Sequence, residues 1–134
     1  MDKTTMYLHK NDDASSLLPH AKTVGTESVA VSRLDEILQA DDIIRPSFLK
    51  IDVQGYELLA LQGCGRLLDV MDFVYVEVSF MNRYQGQALA DDVVRLLFAN
   101  GFSLAAVNDP EFDGAGHCNQ ADFLFSRRPD PIPC

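Results

Sequence analysis

The sequence predicts an α/β fold in which a parallel strand–helix–strand unit leads into an antiparallel hairpin. Three observations predict it. Residues 48–53 alternate Leu49, Ile51 and Val53 with Phe48, Lys50 and Asp52, the period-two pattern of a strand. Behind them Leu58, Leu61 and Leu68 recur at helical spacing, widened by Leu59 and Leu67, and residues 73–79 then form a β-branched and aromatic second strand. A strand, a helix and a strand in that order make a right-handed parallel unit the expected connection. After a further helical stretch, residues 102–107 and 121–125 read as the two strands of the closing hairpin.

The 134 residues are enough for one domain with a core, and 47% hydrophobic with 23% charged residues is ordinary for a globular chain. A net charge of -9 repels phosphate backbones and anionic lipid surfaces, which argues against nucleic acid or a membrane as partner. No apolar run reaches the roughly 20 residues of a membrane span, and the polar start Met1-Asp2-Lys3-Thr4-Thr5 has no leader-like apolar core, so the expected location is cytoplasmic. Cys64, Cys118 and Cys134 lack the short paired spacings of a metal cage or a disulfide framework, and Cys64 reads as a core filler rather than a nucleophile. His117-Cys118 has no third ligand nearby in sequence, and no metal is expected.

In chain order, residues 1–28 carry a short strand signal at 5–8 followed by a polar stretch, compatible with disorder or an edge hairpin. Residues 29–31 lead to Ser32, which with Asp35 forms an acidic capping box for a helix over 33–39 burying Leu34, Ile37 and Leu38, and Asp41-Asp42 ends it in a solvated loop. Pro46 and Gly55 bound the central strand. Gly63 and Gly65 either interrupt the crossover helix or tighten its packing. A third helix over 87–100 presents Leu89, Val93, Leu96 and Leu97 on one face, and Asn100-Gly101 supplies a left-handed stop onto which Phe102 folds back. Residues 108–116 are a turn-rich link, and the proline-dense tail 127–134 is expected to be flexible.

Asp52 falls at the carboxyl end of the first parallel strand and Glu77 near that of the second, so the unit carries both carboxylates to one edge of the sheet, where open α/β sheets bind ligands. Each has an alternative: Asp52 as cap of the following helix, Glu77 as ion-pair partner of Lys50. Tyr56, Phe80, Asn82, Arg83 and Tyr84 follow the strand ends and either line an acceptor pocket or are ordinary loop residues.

The motifs resemble a known family. Residues 49–57 (Leu49-Lys50-Ile51-Asp52-Val53-Gln54-Gly55-Tyr56-Glu57), then 76–80, Tyr84-Gln85-Gly86-Gln87, Gly101-Phe102 and 120–125 are similar, in this order, to the carboxyl-terminal half of FkbM-type methyltransferases, and Ser15-Ser16-Leu17-Leu18 and 31–35 to the pieces preceding that half. The resemblance implies a class I, Rossmann-like, doubly wound sheet, present here in part, that ends in an antiparallel hairpin. It implies S-adenosylmethionine as methyl donor and a sugar or natural-product hydroxyl as acceptor, with Asp52 and Glu77 as catalytic carboxylates and Gln54, Tyr56, Glu57 and Tyr84 on the substrate side. Where this chain has Gln54 the family more often has Glu. The strand, glycine turn and ribose-holding acid of the family's cofactor lobe have no counterpart: Gly63-Cys64-Gly65 comes late in a helix and Gly114-Ala115-Gly116 precedes a strand. The expected organisation is therefore a loosely defined segment 1–28, a carboxyl-terminal methyltransferase half over 29–126 and a flexible tail 127–134. Such a half is expected to bind no cofactor by itself. It would be a fragment completed by a missing amino-terminal lobe, or else a non-catalytic remnant pairing with a second copy or another chain over an open strand edge.

Overall fold

The computed structural model describes residues 2–128. Its strands are β1 (Asp2–His9), β2 (Thr23–Val31), β3 (Phe48–Ile51), β4 (Phe73–Ser79), β5 (Phe102–Phe112) and β6 (Cys118–Arg127), and its helices α1 (Leu34–Ile37), α2 (Glu57–Cys64) and α3 (Ala90–Ala99). β1 and β2 pair antiparallel as a separate hairpin, so the amino-terminal residues take the hairpin alternative, and the expected boundary at residue 28 falls inside β2. The other four strands form one sheet in the order β3-β4-β6-β5. β3 and β4 are parallel, joined through α2, and β6 runs antiparallel between β4 and β5.

Ile51, Val74, Val76, Val78, Ala121, Phe123 and Phe125 face a core completed by Leu61 and Cys64 of α2, Val93 and Leu97 of α3, and Phe102. Burial of this apolar surface is the main force holding helices to sheet. The Cys64 thiol donates to the Ala60 carbonyl at 3.3 Å, and burial pushes its proton affinity up, as suits a core side chain. The alternate positions Phe48, Lys50, Tyr75, Glu77 and Asp122 lie on the opposite face, which no described helix covers. A doubly wound sheet carries helices on both faces; here the described ones lie on one.

Several elements differ from their predicted limits. The helix expected over 33–39 is the single turn α1, and Ile37 is 63% exposed rather than buried. Asp35 does not reach back to Ser32; the Arg33 guanidinium holds it with bonds of 2.9 and 2.6 Å. Asp42 is not in a loose loop but closes a 3-10 turn, its carboxylate accepting from the Gln39 N–H at 2.7 Å. β3 stops at Ile51 because Gln54 and Gly55 have φ of 49° and 96°, which leaves Val53 38% exposed in the turn instead of in the core.

Gly65, at φ 49°, ends α2, and a Cβ there would lie 2.2 Å from an Asp35 carboxylate oxygen, so this glycine both interrupts the helix and lets α1 approach. The third helix starts at Ala90, and Gly101 at φ 82° stops it as expected, with Phe102 fully buried. Most of the predicted link 108–116 is strand: β5 continues to Phe112 through register shifts against β6. The tail expected to be loose from residue 127 is ordered at its start, since Arg127 ends β6 and the Arg128 N–H donates to the Gly101 carbonyl at 2.9 Å. The rest of that tail, 129–134 with Cys134, lies outside the described residues.

Candidate active site

The register of the parallel pair sets Ile51 beside Val76, so the next residues up, Asp52 and Glu77, stand side by side at the carboxyl edge of the sheet. The structure thus brings the two predicted carboxylates together. Asp52 does not cap α2, whose capping position is Tyr56 without a side-chain bond. Its carboxylate instead accepts from the Gln54 side-chain amide at 2.9 Å, and the Lys50 ammonium stands 3.9 Å away. The lysine therefore pairs with Asp52 and not with Glu77, which removes the ion-pair alternative for the latter.

Glu77 is half-buried without a cation bonded to it. Among the described residues its one side-chain partner is the Gln120 amide at 3.4 Å. Burial, followed by the negative charges of Asp52, Asp122 and Glu57, pushes its proton affinity up to about 7, with Arg83 opposing. A carboxyl so placed is divided between acid and base near neutral pH, the range in which proton transfer to or from a substrate is most effective. Asp122, the register partner of Glu77 on β6, is engaged by the Tyr75 hydroxyl at 2.9 Å.

The four residues assigned to the substrate side separate into different roles. Glu57 is only 5% exposed and closes the β3–α2 turn from below, accepting from the Gly55 N–H at 3.0 Å; burial raises its proton affinity. Gln54 and Tyr84 bond each other, hydroxyl to side-chain carbonyl, at 3.0 Å. Tyr56 lines a cleft of about 800 Å3 along the free edge of β3, together with Leu49, Val53, Leu59 and Gly63. That cleft runs beside the carboxylates rather than over them: neither Asp52 nor Glu77 lines it.

Loop 80–89 owes its shape to Gln87, a buried residue that the sequence marks only as a helix start. Its side-chain carbonyl accepts from the N–H groups of Arg83 and Tyr84 at 2.9 and 3.3 Å, and its amide donates to the Ser79 hydroxyl at 2.8 Å. Its own carbonyl accepts from the Asn82 side chain at 2.9 Å. Arg83 reaches Glu111 of β5 at 3.3 Å, and the half-exposed Phe80 packs edge-on to Phe123 at 6.0 Å. Gln87, Gln120 and Ser16 enter the sequence reading only within motif stretches, and their burial is not foreseen there because a buried glutamine or serine looks like a surface one until its partners are known.

These residues do not by themselves fit S-adenosylmethionine. The glycine between a strand and a helix, Gly55, has its N–H taken by Glu57, and the space a Cβ would occupy is filled by Tyr84, whose Cδ2 would lie 2.8 Å away. No glycine-rich turn opens a helix among the described residues.

Residues 2–104 match the family described as the Methyltransferase FkbM domain, a stretch that takes in β1 through the start of β5 and both carboxylates. The chain belongs to the FkbM methyltransferase family. Over 56 residues it is also 32% identical to a Haloferax volcanii protein named hexuronic acid methyltransferase AglP, an alignment covering 42% of this chain and 23% of that relative. The FkbM chain thus spans under a quarter of the length of the curated relative it matches. No solved structure matches it. No helix among its described residues is long and apolar enough to cross a membrane.

Proposed function

We propose that this chain is the acceptor-side part of an FkbM methyltransferase domain, acting in methyl transfer to a hydroxyl of a sugar or another natural product. The observation that carries the reading is the juxtaposition of Asp52 and Glu77 at the carboxyl ends of a parallel strand pair, with Glu77 poised near neutrality. Glu77 accepts the acceptor's hydroxyl proton as that oxygen becomes nucleophilic, and Asp52, held by Gln54, orients the hydroxyl. In a complete domain S-adenosylmethionine would supply the methyl group, and the residues that would hold it lie in a lobe outside this chain. The parallel pair β3-β4 followed by the antiparallel β6 and β5 supports reading the sheet as part of a doubly wound class I arrangement. The relative's name makes glycans bearing a hexuronic acid the first acceptors to try.

A second reading has one observation in its favour. β3 pairs only with β4 among the described strands, and a free edge beside a cleft suits a non-catalytic module that adds a strand from another chain. Calorimetric titration of S-adenosylmethionine separates the two. The expected result is no heat with the 134-residue chain and binding with methyl transfer once the coding region upstream of Met1 is included. A chain that binds the cofactor unaided would overturn the division into lobes, and an extended protein without transfer would favour the module.

A further inference from the structure

The turn that carries Asp52 is held from two distant parts of the chain. Gln54 has a φ of 49°, a left-handed conformation that is unfavourable for a side-chain-bearing residue and persists where the surroundings over-determine it. The surroundings do so here. Ser16, 2% exposed and 38 residues earlier, donates its hydroxyl to the Gln54 backbone carbonyl at 2.5 Å while accepting from the Leu18 N–H at 3.0 Å.

On the other side Tyr84 lays its ring against Gly55 and donates its hydroxyl to the Gln54 side-chain carbonyl at 3.0 Å, with the Ala14 carbonyl at 3.4 Å. Gln54 then passes the constraint on through its amide to Asp52 at 2.9 Å. The amide's orientation follows from the chemistry. A carboxylate only accepts, so the NH2 must face Asp52, and the oxygen is left for the tyrosine hydroxyl. The segment carrying Ala14 and Ser16 is itself tied to the tyrosine loop, since the Gln85 N–H donates to the Pro19 carbonyl at 2.8 Å and the His20 ring meets Tyr84 edge-on at 5.4 Å.

We propose that Tyr84 and Ser16 are positioning residues for Asp52, acting through Gln54, so that the segment between β1 and β2 is a working part of the acceptor site. The inference rests on the reading of Asp52 as the carboxylate that meets the acceptor. It gives Gln54 a duty that a Glu in its place could not perform, because an ionised Glu would accept from Tyr84 but repel Asp52. Gln54 and Tyr84 accordingly hold the carboxylate rather than touch the substrate.

The test is nuclear magnetic resonance of the 134-residue chain at one fixed pH, following the Gln54 side-chain amide and the Asp52 carboxyl carbon in wild type, Tyr84→Phe and Ser16→Ala. Tyr84→Phe keeps the ring on Gly55 and removes only the hydroxyl. It is expected to move both signals toward those of freely rotating side chains while far-UV circular dichroism stays unchanged. Ser16→Ala is expected to move the same two signals, and Gln85→Ala, which keeps its backbone bond to Pro19, to move neither. Unmoved Gln54 and Asp52 signals in folded Tyr84→Phe would overturn the proposal. Since no cofactor or turnover enters this measurement, failure of the methyltransferase reading would show separately, as absent methyl transfer with the spectral changes intact.

Discussion

Glu77, through its raised proton affinity, makes the stability of the fold depend on pH. Its carboxyl binds its proton up to a pH of about 7 in the folded chain, against 4.5 for an ordinary glutamate, so the folded state holds more protons than the unfolded state between those values. The stabilisation is fully present below the lower value and is lost as pH rises through the upper one. Urea melts at about pH 5 and about pH 8 should therefore show a fall in stability that Glu77→Gln lessens by about 1–2 kcal/mol, after discounting the shift for the side chain's partial exposure to solvent. An identical pH response in the variant would mean that the environment of Glu77 is wetter than its neighbours imply. Asp52 and Glu77 were legible in the sequence because strand alternation and strand ends are local patterns. Glu57 was not: its burial beneath Gly55 depends on a turn geometry with two consecutive positive φ angles, one of them at Gln54, which no residue preference announces.

At the scale of elements, the strand–helix–strand unit and the closing hairpin were legible, because period two and helical spacing each report a single element's buried face. Their limits were not, because those are set by contacts distant in sequence. Arg127 is the clearest case. Read locally it opens a proline-rich tail, yet it ends β6, lies 4.1 Å over the Phe102 ring and donates to three carbonyls: Met71 at 2.9 Å, Asn100 at 2.6 Å, and Leu68. These are the loop before β4, the end of α3 and the 3-10 turns after α2, so one guanidinium ties three connections to the last strand. Arg127→Met should leave those carbonyls unpaired and lower the unfolding free energy by about 2–4 kcal/mol in denaturant melts. Arg127→Lys should recover only part of the loss, since an ammonium lacks the planar fork that serves all three at once. Full recovery by lysine would show that charge and not geometry makes the tie.

For the whole molecule, the decisive feature is what the sheet leaves uncovered. The free edge of β3 was anticipated from the absence of a cofactor-lobe strand. The bare second face was not, because the alternation that exposes Phe48 looks the same whether a helix lies over it or water does. Phe48 is 60% exposed and stacks on Tyr75 at 6.3 Å, and its register partner Phe73 is 39% exposed. Burying one such phenylalanine is worth about 1.5–3 kcal/mol, against the self-repulsion of a chain of charge -9. Salt screens the repulsion and leaves the apolar term in place, so self-association of the 134-residue chain should strengthen as salt rises, the reverse of an ion-paired interface. Sedimentation velocity across a concentration series at low and high salt reads this directly. Phe48→Lys should weaken the association roughly tenfold or more, the equivalent of about 1.4 kcal/mol, without altering the circular dichroism. A wild-type chain that stays monomeric at every concentration and salt would mean that neither the edge nor the face suffices to recruit a second copy, and that the surface waits for a different polypeptide.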